Sequence, residues 1–218
     1  MRVIGLLGGT FNPIHLGHLR LAEELSNALN LDEVRFIPSA NPPHKTAPSV
    51  SATHRAEMVQ LAIEENPKFQ LDSLELARTG ASYTIDTLKN LREELGISTS
   101  LSLIMGSDAF VKLDTWHEWE TLIDYCHIIL VQRPQPKVTP LNAELEQFLS
   151  DHYTENNDDL LNNPAGFISM QAITALDISS TNIRKNLSSQ KSVRYLVPDN
   201  VLNYIHLHHL YEEQNSQA

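Results

Sequence analysis

The stretch GGTFNPIHLGH, residues 8–18, brings three glycines and two histidines together near the start of the chain. Glycine has no Cβ, so the backbone at Gly8 and Gly9 can approach a ligand closely. His15 and His18 are three residues apart and share a face of a helical turn. Two imidazoles aimed at a phosphate can stabilise charge that develops in a transition state. The candidate site residues in this stretch are Gly8, Gly9, Thr10, Phe11, His15 and His18.

Residues 8–18 also fit two roles that need no phosphate. Strand-to-helix turns often use glycine for purely structural reasons, and His-x-x-His can be half of a metal site. A structural zinc site requires four ligands, and the single cysteine, Cys126, lies in another predicted strand. We therefore expect no protein-held metal, and the phosphate site and the structural turn stay open.

A second candidate stretch is ISSTNIR, residues 178–184. Ser179 and Ser180 are suited to cap a helix running from about 180 to 187. Arg184 follows one turn later, with a guanidinium group that suits phosphate. An ordinary capped helix with a surface arginine would give the same pattern. The candidate residues here are Ile178, Ser179, Ser180 and Arg184.

The net charge of −11 constrains any phosphate site. The field of the whole chain repels anions, so such a site must concentrate its own cations. Lys45, beside His44 in a proline-rich loop, and Arg133, at the end of a predicted strand, can join Arg184 in that role. The same acidic charge argues against a nucleic-acid partner.

Two further segments hold groups suited to a nucleoside. Ser107 and Asp108 follow a predicted strand that ends at Gly106, and the Asp108 carboxylate can accept hydrogen bonds from ribose hydroxyls. A helix N-cap is the alternative for Asp108. Trp116 can stack on a flat ring, whereas Trp116 and Trp119 can equally be two core residues.

Strands and helices alternate along the chain that must position these residues. Apolar runs predict strands at 2–7, 33–38, 69–78, 101–106, 127–133 and 166–171, and helices at 15–30, 51–66, 82–96, 179–189 and 198–211. This order predicts an α/β fold with a doubly wound, mostly parallel sheet and a C-terminal helical portion. We expect one domain over 1–218, with 1–175 as the α/β core and 176–211 as the helical portion. Residues 141–163 are expected to be an insertion or a poorly ordered segment.

Cysteine usage and hydropathy indicate the compartment. One cysteine cannot form an internal disulfide, which favours a reducing compartment, and Cys126 is expected to be a buried small hydrophobe. No apolar stretch approaches the ~18 residues of a membrane span, and VIGLL is too short for a secretory signal. We expect a cytoplasmic protein without a membrane partner. Assembly of identical chains stays open.

The two stretches resemble the signature motifs of one superfamily. GGTFNPIHLGH is similar to the nucleotidyltransferase motif (His/Thr)-x-Gly-His, and ISSTNIR to its second motif, in the expected order about 160 residues apart. Along nearly its whole length the chain resembles the bacterial nicotinate-nucleotide adenylyltransferases, which have a Rossmann-like fold. Asn12 and Gln135 depart from the pattern, which often has Asp and Gly there. Further resembling segments are PPHK, SYTIDTL, MGSDAFVKLDTWHEWE, VQRP and LVPDNVLNYI.

The resemblance implies a transfer of AMP from ATP to nicotinate mononucleotide, giving deamido-NAD and pyrophosphate by direct displacement. Magnesium is implied to bridge phosphate oxygens, held mainly by substrate and water. His18 is implied to contact the α-phosphate, with His15 and Arg184 holding the polyphosphate. Transfer to nicotinamide mononucleotide or phosphopantetheine is the alternative, and a non-catalytic nucleotide-binding regulator is another.

The resemblance also implies the remaining contacts. Lys45 is implied to contact substrate phosphate, and Asp108 the adenosine ribose. The backbone N–H groups of Thr84 and Trp116 are implied to bind the nicotinate carboxylate, with the Trp116 ring packed on the pyridine.

Overall fold

A computed structural model describes residues 1–40, 50–78, 80, 82–132, 140–174 and 176–212 of the 218-residue chain. Over these residues one sheet holds seven strands in the order β3-β2-β1-β4-β5-β7-β6, and all its recorded pairs are parallel. The strands are β1 (Arg2–Gly9), β2 (Glu33–Pro38), β3 (Phe69–Leu71), β4 (Thr99–Gly106), β5 (His127–Gln132), β6 (Tyr153–Thr154) and β7 (Ile168–Ala172). The helices are α1 (Leu16–Ala28), α2 (Ala52–Ile63), α3 (Thr84–Leu95), α4 (Ser107–Phe110), α5 (Leu122–Tyr125), α6 (Ala143–His152), α7 (Asn157–Asn162), α8 (Ser180–Ser188) and α9 (Asp199–Leu207).

Helices cover both faces of the sheet, so its central strands are apolar on both sides. In β1, Val3 and Leu7 enter one hydrophobic cluster and Ile4 and Leu6 enter the other. Helices α1, α2, α8 and α9 contribute to the first cluster, and α3, α5 and α6 to the second. The predicted doubly wound α/β fold with C-terminal helices is confirmed. Because α8 and α9 share the cluster of α1 and α2, we propose that the chain is a single domain.

The strand order reverses between β1 and β4. From β1 the chain moves outward to β2 and β3, and it then returns to pair β4 with the other side of β1. Connections leave in opposite directions at such a point, which opens a crevice beyond the carboxyl ends of the strands. Gly8 and Gly106 border this crevice, since a Cβ on either would meet none of the described atoms within 4 Å.

Strand β3 is shorter than predicted. It ends at Leu71, not at residue 78. The Asp72 carboxylate accepts a hydrogen bond from the Leu74 N–H at 3.0 Å, and the Leu76 N–H donates to the Ser73 carbonyl at 2.9 Å. These bonds fold the chain into a turn, so the apolar residues that follow do not continue the strand.

The segment 141–163 is regular structure, so the expectation of poor order is wrong. It contains α6, the edge strand β6 and α7. The Asn142 and Asn156 side chains cap these helices by accepting from the Leu145 and Asp158 N–H groups at 2.9 and 3.1 Å. Asparagine caps therefore account for part of the polar composition of this segment.

Cys126 is fully buried, as predicted. Burial raises the pKa of its thiol to about 12, so the group stays neutral. None of the described helices is long and apolar enough to cross a membrane.

His127 is a buried histidine whose two ring nitrogens are both engaged. Its Nδ1 accepts from the Phe167 N–H at 3.2 Å, and Nε2 lies 2.9 Å from the Asn163 carbonyl. This pattern requires the neutral ring. Burial lowers the pKa of His127 below its ordinary value of 6.5; the Asn163 carbonyl and Asp159 oppose that shift, and Arg92 adds to it.

We predict that His127 makes the protein sensitive to mild acid. The unfolded chain gains a proton as the pH falls below about 6.5, whereas the folded chain resists it, so the free energy of unfolding falls by at most ~1.4 kcal/mol per pH unit from this group. Urea unfolding between pH 7.5 and 5.0 measures the slope. His127→Gln should be less stable at pH 7.5 but show a shallower slope, while the exposed His206→Gln should keep the wild-type slope. Equal slopes in His127→Gln and wild type would contradict the prediction.

Candidate active site

Residues 10–14 connect β1 to α1 at the edge of the crevice. Phe11 adopts a left-handed backbone conformation (φ 46°) and buries its ring. A Cβ at Gly9 would lie 3.0 Å from that ring, so glycine is needed there to admit Phe11. The two glycines thus have separate roles, because Gly8 borders the crevice while Gly9 accommodates a core side chain.

The two histidines stack at the start of α1. Their ring centroids are 3.7 Å apart, and the His15 N–H donates to His18 Nδ1 at 3.2 Å. The neutral form of His18 therefore carries its proton on Nε2. A Cβ at Gly17 would lie 3.0 Å from His15 Nδ1, so this glycine makes room for the stacked pair. Its structural role was not foreseen from the sequence.

The N-terminus of α1 is less open than its position after β1 suggests. The Leu16 N–H donates to the Leu196 carbonyl and the His18 N–H to the His15 carbonyl, each at 2.9 Å. These two N–H groups are therefore bonded within the protein rather than presented to an anion. A phosphate contact at this end of α1 is therefore expected from the imidazoles rather than from those two amides.

The second stretch meets the first. The Ser180 hydroxyl donates to the Pro13 carbonyl at 2.9 Å, and Arg184 Nη1 donates to the Asn12 carbonyl at 2.8 Å. A Cβ at Gly17 would also lie 3.7 Å from the Cβ of Ile178. Two segments that are about 160 residues apart in the chain thus form one wall of the crevice.

Ser179 and Ser180 have different structural roles. Ser179 is the N-cap of α8 and accepts from the Asn182 N–H at 3.2 Å, as predicted. Ser180 is not a cap, because its hydroxyl bonds to the loop after β1. The expectation of two capping serines is wrong for Ser180.

Arg184 is partly buried rather than a plain surface residue, and we predict that Arg184→Ala has two effects. Losing its bond to the Asn12 carbonyl should cost about 1 kcal/mol of stability. Losing its charge should raise KM for ATP about threefold to tenfold, with Arg184→Lys intermediate. Steady-state kinetics and urea unfolding measure the two. If Arg184→Ala lowers the stability but leaves KM for ATP unchanged, Arg184 has only a structural role.

The end of β4 lies beside the end of β1. Gly106 is the N-cap of α4, and Ser107 is the first residue of that short helix. Asp108 is exposed within its first turn. The N-cap alternative for Asp108 is therefore wrong, and its carboxylate remains accessible to a ligand.

Thr84 and Trp116 lie in neighbouring segments on the face of the sheet that α3 and the second hydrophobic cluster cover. Thr84 is the first residue of α3, where a backbone N–H has no partner within the helix. The Tyr83 ring lies 4.7 Å from the His117 ring, which brings the start of α3 against the segment containing Trp116. The Trp116 N–H donates to the Leu113 carbonyl at 2.9 Å. This bond within the turn occupies the backbone N–H of Trp116, which was expected to bind the nicotinate carboxylate.

The two tryptophans differ in their surroundings. The Trp119 ring makes an edge contact with Phe148, with centroids 5.1 Å apart, although Trp119 is itself only half-buried. Trp116 is half-buried and packs against the same hydrophobic cluster. Trp116 therefore retains partly exposed ring surface.

A polar cluster beneath α3 fixes its first turn. The Thr87 hydroxyl donates to the buried Glu75 carboxylate at 3.0 Å, and Arg78 donates to the Thr87 hydroxyl at 3.1 Å and to the Asp86 carbonyl at 3.0 Å. Burial raises the pKa of Glu75, while its bond from Thr87 opposes that shift. The cluster holds Thr84 in place from below.

Three predicted site residues, His44, Lys45 and Arg133, lie outside the described residues. Among the residues that the structure does describe, no group of three or more His, Cys, Asp or Glu side chains could hold a metal ion. His206, His208 and His209 are exposed at the end of the chain.

Two side chains at the loop after β1 were missed by sequence reasoning. Arg55 donates to the Thr10 carbonyl at 2.7 Å, and the Tyr211 hydroxyl donates to the Asn12 side chain at 2.7 Å. The signal for Arg55 was available, because it shares the apolar helical spacing of Met58 and Val59. The sequence carries no local signal for Tyr211.

The fold and the two meeting segments are those of a nucleotidyltransferase. The sequence model of the cytidylyltransferase-like family matches residues 6–186. A protein of Pseudomonas putida (strain W619) named "Probable nicotinate-nucleotide adenylyltransferase" is 46% identical over 99% of this chain and 97% of its own length. A Pseudomonas fluorescens protein of the same name is 47% identical over 97% and 98%. The chain belongs to the nicotinate-nucleotide adenylyltransferase family.

A solved structure has the same fold. The Plasmodium falciparum nicotinic acid mononucleotide adenylyltransferase, complexed with NaAD, superimposes with a TM-score of 0.74 at 22% sequence identity. The match covers 97% of this chain and 98% of that protein.

Proposed function

We propose that this protein transfers the adenylyl group of ATP to nicotinate mononucleotide, forming deamido-NAD and pyrophosphate. The observation that carries the proposal is the contact between residues 8–18 and 178–184 at the switch point between β1 and β4. The name of the P. putida relative and the NaAD bound by the P. falciparum protein support the choice of acceptor.

In the proposed reaction, a phosphate oxygen of the acceptor attacks the α-phosphorus of ATP in line with the departing pyrophosphate. Catalysis then consists of positioning and of stabilising charge on the α-phosphate oxygens. His18 would donate from Nε2 to the α-phosphate, because its Nδ1 is held by the His15 N–H. His15 and Arg184 would hold the polyphosphate, and Gly8 and Gly106 leave room for the nucleotide.

The remaining proposed contacts follow from position. The Asp108 carboxylate would accept hydrogen bonds from the adenosine ribose. The Thr84 N–H and the positive end of α3 would bind the nicotinate carboxylate, with the Trp116 ring on the pyridine. Lys45 and Arg133, with His44, would add positive charge near the phosphates. Thr10, Phe11, Ile178, Ser179 and Ser180 would shape the nucleotide site.

Magnesium would enter as the complex with ATP and supply charge neutralisation on the phosphate oxygens. This route suits the donor set, because the described residues offer no group of three or more His, Cys, Asp or Glu side chains that could hold the ion. We further propose a cytoplasmic location, in keeping with the single buried cysteine.

The proposal is tested by incubating the protein with ATP and Mg²⁺ plus one acceptor at a time. Nicotinate mononucleotide, nicotinamide mononucleotide and phosphopantetheine are the three acceptors, with pyrophosphate release as the rate and mass spectrometry of the adenylylated product as the identification. The largest kcat/KM with nicotinate mononucleotide supports the proposal. A larger value with another acceptor would reassign the substrate, and ATP binding without pyrophosphate from any of them would indicate a regulator.

A further inference from the structure

Arg55 is the largest fully buried side chain among the described residues, at 1% relative exposure. It stands on α2 in the same stripe as Met58 and Val59, which are buried apolar residues. Arginine is almost never fully buried unless its charge is paired. A buried guanidinium in an apolar stripe is therefore a feature with a cost to stability.

The guanidinium joins two loops. Nη1 donates to the Thr10 carbonyl at 2.7 Å, and Nη2 donates to the Ala40 carbonyl at 3.3 Å. Thr10 belongs to the glycine-rich loop after β1, and Ala40 follows β2 and leads along the chain to Lys45. One side chain thus joins the starts of two adjacent connections at the crevice, next to the Ser39 N–H, which donates to the Gly9 carbonyl at 2.9 Å.

The charge of Arg55 lacks a carboxylate partner within the described residues, since no ion pair there includes it. Its buried Nε has no hydrogen-bond partner in that same set. An unbalanced buried charge destabilises a fold, and features that cost stability concentrate at functional sites. An anionic ligand in the adjacent crevice would supply the missing negative charge.

We propose that Arg55 is a positioning residue for adenylyl transfer, an inference that rests on the function proposed above. Its guanidinium holds the Thr10 and Ala40 carbonyls in one geometry, so the glycine-rich loop presents His18 to the α-phosphate. Its positive charge additionally strengthens binding of the ATP polyphosphate from beneath the loop.

Substitution separates the geometry from the charge. Arg55→Lys keeps a cation but cannot donate to both carbonyls with a planar group. We expect kcat to fall by at least about tenfold, since small misplacements of reacting groups are costly, while KM for ATP stays within about threefold. Arg55→Met removes the charge as well, so KM for ATP should also rise by more than threefold. Both constants come from pyrophosphate release with ATP and nicotinate mononucleotide.

Arg92 offers a matched control. It too donates to backbone carbonyls, at 2.8 Å to Tyr125 and 2.6 Å to Thr99, and burial lowers its pKa as it does that of Arg55. Thr99 begins β4, so Arg92 lies at the amino ends of the strands, whereas the crevice lies beyond their carboxyl ends. Arg92→Lys should lower the melting temperature and leave kcat and KM unchanged.

The outcomes are separable. A kcat for Arg55→Lys within threefold of wild type, or a loss that Arg92→Lys reproduces at equal melting temperature, would overturn the role of Arg55 and leave the proposed function intact. A wild-type protein that releases no pyrophosphate with nicotinate mononucleotide would overturn the proposed function and this inference with it. If Arg55→Met does not fold, Arg55→Lys alone decides.

Discussion

Replacing His18 with alanine should lower kcat by ~10²–10³-fold and leave KM for ATP within a few fold of wild type. Removing one preorganised donor to a developing charge typically has an effect of this size. The loss should appear in kcat because the bond strengthens in the transition state. The structure adds the reason for preorganisation, since the His15 N–H donates to His18 Nδ1 and the neutral ring then carries its proton on Nε2.

Two further variants separate the two roles of His18, which are to donate from Nε2 to the phosphate and to accept from the His15 N–H at Nδ1. The side-chain oxygen of His18→Asn can replace Nδ1 as the acceptor from His15, whereas the amide nitrogen of His18→Gln can replace Nε2 as a donor. We expect the Gln variant to be the more active of the two and the Asn variant to be the more stable. The exposed His206→Ala is the control and should be unchanged. Activity of His18→Ala within about threefold of wild type would remove His18 from the mechanism.

The second large effect concerns the acceptor. We predict a kcat/KM for nicotinate mononucleotide about 10- to 100-fold above that for its amide form. One hydrogen bond to a charged group contributes ~1.5–3 kcal/mol, which corresponds to this range. Two such bonds were expected from the resemblance, but the Trp116 N–H is already engaged by the Leu113 carbonyl. The Thr84 N–H and the positive end of α3 remain.

The donor can be deleted without changing the side-chain environment greatly. Thr84→Ala keeps the backbone N–H and should keep the preference. Thr84→Pro removes that N–H at the first helical position, where proline is well tolerated, and Tyr83 already has the extended backbone that precedes proline (φ −95°, ψ 135°). Its preference should fall towards one. Trp116→Ala should weaken both acceptors alike, and equal kcat/KM values for both acceptors in wild type would overturn the assignment of the Thr84 N–H.

The sequence was most informative where a pattern is local. An apolar run located β2 at residues 33–38, where the strand forms. Strand β3 was predicted too long because a single carboxylate bond at Asp72 starts a turn that apolar alternation does not reveal. Segment 141–163 was misjudged because helix caps and disorder use the same polar residues.

In the candidate site, too, local motifs could be recognised from the sequence, whereas tertiary contacts could not. The resemblance named the residues that project from the two motifs, but not the side chains that hold those motifs from elsewhere. Arg55 and Tyr211 act through tertiary contacts with Thr10 and Asn12, which are 45 and 199 positions away along the chain. No local pattern encodes such pairings. The roles of His44, Lys45 and Arg133 stay predictions.

The lengths of the outermost strands affect how the protein behaves at high concentration. Strand β3 has three residues and β6 has two, so each margin of the sheet offers few unpaired backbone groups to a strand from another molecule. Short edge strands of this kind oppose ordered aggregation and strand exchange between molecules. If identical chains associate, their contacts should therefore come from helical surfaces, and the sheet should end with each molecule rather than continue into the next.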